Sequence, residues 1–285
     1  MPRLLLLTAA FGSLCALVAL LLCYAAGVRR LRRSQSGGAH AGHPWALVAA
    51  VVVIAVVTTP PLGERLEERL ATHMVQHITL IVVAAPLLAM SGCGLPALVG
   101  LPLPLRRRLV RLRRRVAVPG VVGPHAAWGA HIAALWLWHL PAAYDEAVRN
   151  TSAHVAEHAC FLLTAWLFWW HLLGPVRRRL TGPVGVLYLV AAIPPGAALG
   201  ALLTFSSQPL YPAQGHEALA SGVDPLVDQR LGGLVMWVPL DFVYVALAVG
   251  LVGGWLHHLA TRWPEPVYLD VDHALDDLAP QGGPR

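Results

Sequence analysis

Two short stretches hold the residues best suited to chemistry: "HMVQH" at 73–77 and "HVAEH" at 154–158. Each sets two histidines four apart and places an amide or a carboxyl group just before the second, Gln76 in one and Glu157 in the other. On a helix, four residues turn through about 400°, so each histidine pair lies within about 40° on one face, with Gln76 and Glu157 about 60° to the side. Imidazole is the commonest metal ligand, and an i, i+4 pair is a bidentate holder. A further histidine, His139, closes the apolar run that ends in "WLWHLP". The chemistry predicted is metal binding by His73, His77, His139, His154 and His158, with Gln76, Glu157, Asp228, Gln229 and Met74 as outer partners. An all-imidazole set suits copper or zinc, Cu(II) having the greater intrinsic affinity. The competing reading has these histidines bonded to one another, to Glu157, to loop backbone and to interfacial water.

The elements that must position these side chains are membrane helices. Of 285 residues, 56% are hydrophobic and 13% charged, and mean hydropathy is +0.60, outside the range of soluble domains. A crossing helix needs about 20 apolar residues. Seven stretches qualify: 4–26, 44–59, 73–92, 121–141, 153–173, 183–205 and 230–256. The first ends in small residues like a secretory leader, but it is longer than a leader core and "RRLRR" follows it, which fits a retained anchor.

All 21 basic residues are arginine. With the amino end outside, "RRLRR" (29–33), "RRRLVRLRRR" (106–115) and "RRR" (177–179) share the cytoplasmic side with Arg262 and Arg285. That side then holds 16 of the 21, leaving Arg3, Arg65, Arg69, Arg149 and Arg230 outside. Basic residues near helix ends resist translocation, so the asymmetry supports seven crossings with the amino end out and the carboxyl end cytoplasmic. The expectation is an all-α polytopic membrane protein, with one membrane domain over 1–263 and a poorly ordered cytoplasmic tail over 264–285. Threaded this way, all five histidines fall at the outer level.

Other features are structural. The outer segment 60–72 reads as a short surface helix ("GERLEERL"), while 142–152 and 206–229 read as outer loops. Pro86, Pro194, Pro195 and Pro239 interrupt helices and are expected to face the bundle interior. Gly196 with Gly200, and Gly250 with Gly254, are expected at close helix contacts. Asp241 is the one acid well inside a crossing, and His131 is its expected partner. The four cysteines have no C-x-x-C spacing, and no disulfide framework is expected. "RRRLVRLRRR" is accounted for by topology and anionic lipid, so no nucleic-acid role is expected.

Four ordered blocks, "HMVQHITLIVVAAPLLAMSG", "WLWHLPAAYDEAV", "HVAEHACFLLTAWLFWW" and "DQRLGGLVMWVP", together resemble the CtaG-like cytochrome c oxidase assembly proteins of bacteria, from about residue 70 to 250. The resemblance implies a seven-helix protein of the bacterial plasma (inner) membrane, not an enzyme, that assembles haem-copper oxidase and supplies its copper. It implies oxidase subunits and extracytoplasmic copper donors as partners, within membrane lipid. Carried over by motif, the family's histidines fall on His73, His77, His139, His154 and His158, with Glu157, Asp228 and Gln229 in the matching acidic and amide positions. One departure is His171 after "FWW", where the family pattern has a proline.

Two other functions share these residues. "HVAEH" fits the H-x-x-E-H pattern of some zinc peptidases, with Glu157 as general base, although Gln76 replaces that base in the other motif. Haem binding needs one axial histidine from each of two helices, for example His77 with His158, and leaves the remaining histidines unexplained.

Overall fold

The computed structural model describes residues 2–33, 42–60, 62–116, 123–175 and 179–262. The tail expected at 264–285 lies outside the described residues, as do Arg177 and Arg178 of the third arginine run. Among the described residues every regular element is helical: α1 Pro2–Arg33, α2 Pro44–Thr58, α3 Leu62–Glu67, α4 Leu70–Thr79, a π-helical turn Leu80–Ala84, α5 Ala85–Ser91, α6 Gly94–Gly100, α7 Leu103–Val116, α8 Pro124–Trp138, α9 Pro141–Arg149, α10 Thr151–Leu173, α11 Gly182–Val190, α12 Ile193–Phe205, α13 Pro212–Ala220 and α14 Pro225–Arg262. Proline opens α2, α8, α9, α13 and α14, a position where its missing N–H costs nothing and its fixed φ suits the helix. Asn150 caps α10, its Oδ1 accepting from the Ser152 N–H at 2.9 Å.

Among the described residues, four stretches are long and apolar enough to cross a membrane: Phe11–Arg33, Leu70–Ser91, Gly182–Phe205 and Pro225–Arg262. Pro44–Thr58 is apolar but shorter. The other two stretches counted from the sequence correspond to α8, with 15 residues, and α10, with 23. "GERLEERL" contributes to α3 as expected, whereas the segments read as loops at 142–152 and 206–229 contain most of α9 and all of α13, and the connection after α5 contains α6 and α7.

Two long-range contacts set the height of the histidine-bearing helices. The span from Leu70 to Ser91 is one rod in three pieces, α4, the π turn and α5. Within it, Pro86 has no N–H, so the Ile81 carbonyl five residues earlier lacks the donor that a π-helical turn would supply. The indole N–H of Trp169 on α10 donates to that carbonyl instead, at 2.8 Å. This bond locks α10 against the rod at mid-height. At the start of α4, Asp228 of α14 accepts from the N–H groups of Leu70 and Ala71 at 2.8 and 3.2 Å. It caps α4 from another helix, satisfying donors that Arg69 at the N-cap position leaves free.

Small residues let α14 approach closely. A Cβ on Gly232 would collide with Leu70 of α4, and Cβ atoms on Gly200 and Gly233 would collide with Trp237 and Thr204 where α12 crosses α14. Gly196 is in ordinary contact range of Leu240. Gly250 and Gly254, expected at a similar contact, face open space: a Cβ on either meets nothing within 4 Å. The small-residue pattern is present there without a described helix against it.

The larger apolar core surrounds Phe161, Phe168, Trp169 and Tyr244, and a smaller one joins α2 to the π turn and α5. In the larger core, His131 lies on the Phe168 ring, 5.4 Å between centroids, with neither nitrogen hydrogen-bonded. Its expected bond to Asp241 is not formed, and Asp241 Oδ1 is likewise buried without a partner.

Candidate metal centre

The second and third turns of α4 carry His73 and His77, the second and third turns of α10 carry His154, Glu157 and His158, and His139 ends α8. Held at the heights just described, α4 and α10 bring one ligand atom each from His73, His77, Glu157 and His158 to within 4.8 Å of one another. His73 Nε2 lies 3.4 Å from His158 Nε2 and 3.9 Å from Glu157 Oε2, and His77 Nε2 lies 3.7 Å from the same oxygen. His154 adjoins this group through its Nε2, 3.2 Å from His158 Nε2. Metal–imidazole bonds are about 2.0–2.1 Å, which puts donors on one ion about 3 to 4 Å apart. The observed spacings fit that range.

Hydrogen bonding among these groups leaves much unsatisfied. A ring nitrogen has one proton or one lone pair, so His158 Nε2 cannot make good bonds to both His73 and His154, whereas an ion can serve all three. Both nitrogens of His77 and both oxygens of Glu157 are buried with no hydrogen-bond partner. Each buried unpaired polar group costs about 1–3 kcal/mol, and a charged one more. A cation at the point where they converge offsets that cost, so the donor set fits a metal.

Residues from the short helices α3, α9 and α13 and their caps orient the rings. Tyr144 of α9 donates its hydroxyl proton to Gln214 Oε1 at 3.4 Å, and its oxygen lies 2.8 Å from His73 Nδ1. With His73 protonated at Nδ1, this chain turns the Nε2 lone pair toward Glu157 and His158. His139 Nδ1 bonds the Leu135 carbonyl at 2.7 Å, leaving a buried, unpartnered Nε2, and its ring is 6.0 Å from that of His77. Tyr211 donates to the His139 carbonyl at 2.9 Å. His154 Nδ1 is 3.7 Å from Glu67 Oε2 at the end of α3. Burial, with the Glu157 carboxyl nearby, pushes the Tyr144 and Tyr211 phenols up from their ordinary value, so both stay protonated donors. Burial and the neighbouring Glu67 push the Glu217 carboxyl up as well.

Of the outer partners expected from sequence, Glu157 stands among the donor atoms. Gln76 points toward α2, donating to the Val57 carbonyl at 2.6 Å. Met74 is fully buried in the larger apolar core. Asp228 caps α4, and Gln229 accepts from the Leu210 N–H at 2.6 Å while its amide donates to the Leu203 carbonyl at 3.3 Å. His139 and His154 flank the four-residue group. Tyr144, Tyr211, Gln214 and Glu67 were not singled out in the sequence. Tyr144 does fall within the "WLWHLPAAYDEAV" block, the one signal that pointed near it.

A cavity of about 300 Å³ between α1, α2 and α10 reaches the cluster, with Ser13, Leu17, Thr58, Glu67, His154 and His158 on its wall.

Comparison with known proteins adds an independent line. A family model described as "Cytochrome c oxidase caa3 assembly factor (Caa3_CtaG)" matches residues 22–258. Uncharacterized proteins of Mycobacterium bovis and Mycobacterium tuberculosis are each 28% identical over 283 residues, covering 92% of this chain and 41% of theirs. An uncharacterized protein of Mycobacterium leprae is 28% identical over 278 residues, covering 90% of this chain and 40% of its own. The chain thus spans about 41% of the length of the first of these relatives. No solved structure matches.

Proposed function

Because the chain belongs to the cytochrome c oxidase caa3 assembly factor family, we propose that it acts in the bacterial plasma membrane as a copper-handling factor for that oxidase. Seven helices cross the membrane, with α2, α8 and α10 joining the four long apolar stretches. The amino end is outside, the carboxyl end cytoplasmic, and residues 1–263 form one membrane domain. The arginine asymmetry supports this threading.

The histidine cluster faces the extracytoplasmic side, takes copper from a donor there, and passes it by ligand exchange to an oxidase subunit docked against the bundle. Copper is cargo in this role, and the protein performs no catalysis. The observation that carries the reading is the convergence of His73, His77, Glu157 and His158, two of them with no other partner. Imidazole and carboxylate donors suit Cu(II) or Zn(II). Such ligands bind only when unprotonated, so the ion loosens as pH falls, which favours handover over permanent storage.

Two alternatives lose ground on specific geometry. A zinc hydrolase needs Glu157 as a base beside metal-bound water, yet its Oε2 lies at ligand-sharing distance from His73 and His77. A haem between His77 and His158 needs a slot as wide as the macrocycle, yet His77 packs 4.3 Å from His73 and 4.7 Å from Phe161, centroid to centroid.

The test is oxidase activity in cells whose own copy is replaced by His73→Ala or His158→Ala. Activity falls with copper content in both variants on this reading, and full activity in both refutes it. A hydrolytic activity lost in Glu157→Gln with the metal retained would establish the zinc-hydrolase alternative.

A further inference from the structure

An ion bound by the cluster has to reach it. His73 and His77 are 2% exposed and Glu157 is fully buried, so the inner donors meet no open surface. His154 keeps 14% of its side chain exposed, and Glu67 beside it keeps 31%. Both line the cavity between α1, α2 and α10, and with His158 they supply all the carboxyl and imidazole groups on its wall. The remaining wall is apolar or hydroxyl-bearing and offers a metal ion little. α1, which closes this side, buries only 6% of its apolar stretch against the rest of the chain.

We infer that copper loads sideways through this cavity, with Glu67 and His154 as its first ligands and His158 as the ligand shared with the inner group. The inference rests on the metal reading given under Proposed function. His154 is oriented for it: Nδ1 is 3.7 Å from Glu67 Oε2, and Nε2 is 3.2 Å from His158 Nε2. Carboxylate, imidazole and imidazole therefore form a line from the cavity to the centre, continued by His73 at 3.4 Å.

An ion on Glu67 and His154 Nδ1 gains His158 as its bond to Nδ1 breaks, since Nδ1 and Nε2 face opposite sides of the ring, and it then exchanges Glu67 for His73, His77 and Glu157. One carboxylate is exchanged for another, so the ion is never left without a compensating charge in an apolar setting, where such a charge is costly.

The experiment uses metal-free full-length protein in detergent, mixed rapidly with Cu(II), with uptake followed by tryptophan quenching and affinity measured by chelator competition. Glu67→Gln removes the first charge, and Ala159→Trp fills the cavity. Both are expected to slow loading about tenfold or more, the scale of electrostatic focusing on association, while the final affinity of Ala159→Trp stays within about threefold. Wild-type rates in both variants, with copper bound normally, overturn the lateral route alone. A parallel loss of affinity and rate in Glu67→Gln, with Ala159→Trp unaffected, makes Glu67 only an orienting partner of His154 and also overturns it. Failure of the wild-type protein to take up copper overturns both this route and the copper reading.

Discussion

Where α4 and α10 begin, His73, His77, His158 and Glu157 aim their donor atoms at one point. About three turns deeper along α10, His131 lies against Phe168, and Tyr188 and Tyr244 pack on the same ring at 4.7 and 5.9 Å. Both regions bury polar atoms that lack hydrogen-bond partners, His77 and Glu157 in one, His131 and the Tyr244 hydroxyl in the other. The difference lies in what surrounds them. Outside, unpaired atoms face one another across 3 to 4 Å; inside, they face ring surfaces. Unpaired polarity alone therefore marks no site, and convergence of lone pairs does.

Substitutions can break or sharpen this contrast. His158→Ala removes the nitrogen adjacent to both His73 and His154. Copper affinity, measured by chelator competition, is expected to drop by more than the roughly 100-fold that follows loss of an outer partner. Trp169→Phe leaves the Ile81 carbonyl buried and unpaired at the seam between the two regions. The expected loss is about 1–3 kcal/mol in the thermal unfolding of metal-free protein. Tyr144→Phe takes away the oxygen that fixes His73 Nδ1, so affinity should fall about 10- to 100-fold, and the Nδ1 left buried and unpaired should cost metal-free protein about 1–3 kcal/mol in unfolding. His131→Leu replaces an unpaired imidazole with an apolar group of similar size. Stability should shift by no more than about 0.5 kcal/mol or rise, with copper binding unchanged. If His131→Leu and His158→Ala had equal effects on copper, the distinction between the regions would collapse.

Much of this was legible in the residue pattern, for local reasons. The i, i+4 histidine pairs and the arginine asymmetry are properties of short segments, and they were enough to place His73, His77, His154 and His158 at one level. The parts that escaped depend on distant neighbours. Gln76 and Glu157 stand at the same azimuth relative to their histidines, yet Glu157 faces the cluster while Gln76 faces the Val57 carbonyl. α4 meets α14 and α2 as well as α10, and its own periodicity does not say which of them Gln76 faces.

The third span begins at Leu70 and not at residue 73 because its cap, Asp228, comes from 158 residues away. The π turn gives no obvious local sign except Pro86, since the bond that completes it is an indole from another helix. Tyr144 and Glu67 sit on short helices whose docking is tertiary, so nothing in their spacing links them to a ring. The glycines at 250 and 254 carry the close-packing pattern without a described neighbour, whereas Gly232 and Gly233, adjacent in sequence and outside that pattern, carry the contacts.

X-ray absorption at the copper edge, on purified protein and on its His73→Ala/His77→Ala double variant, tests the shared centre most directly. The account predicts a first shell of imidazole nitrogens with one carboxylate oxygen in the wild-type protein, and no bound copper in the double variant. The same copper content and the same first shell in both proteins would contradict it.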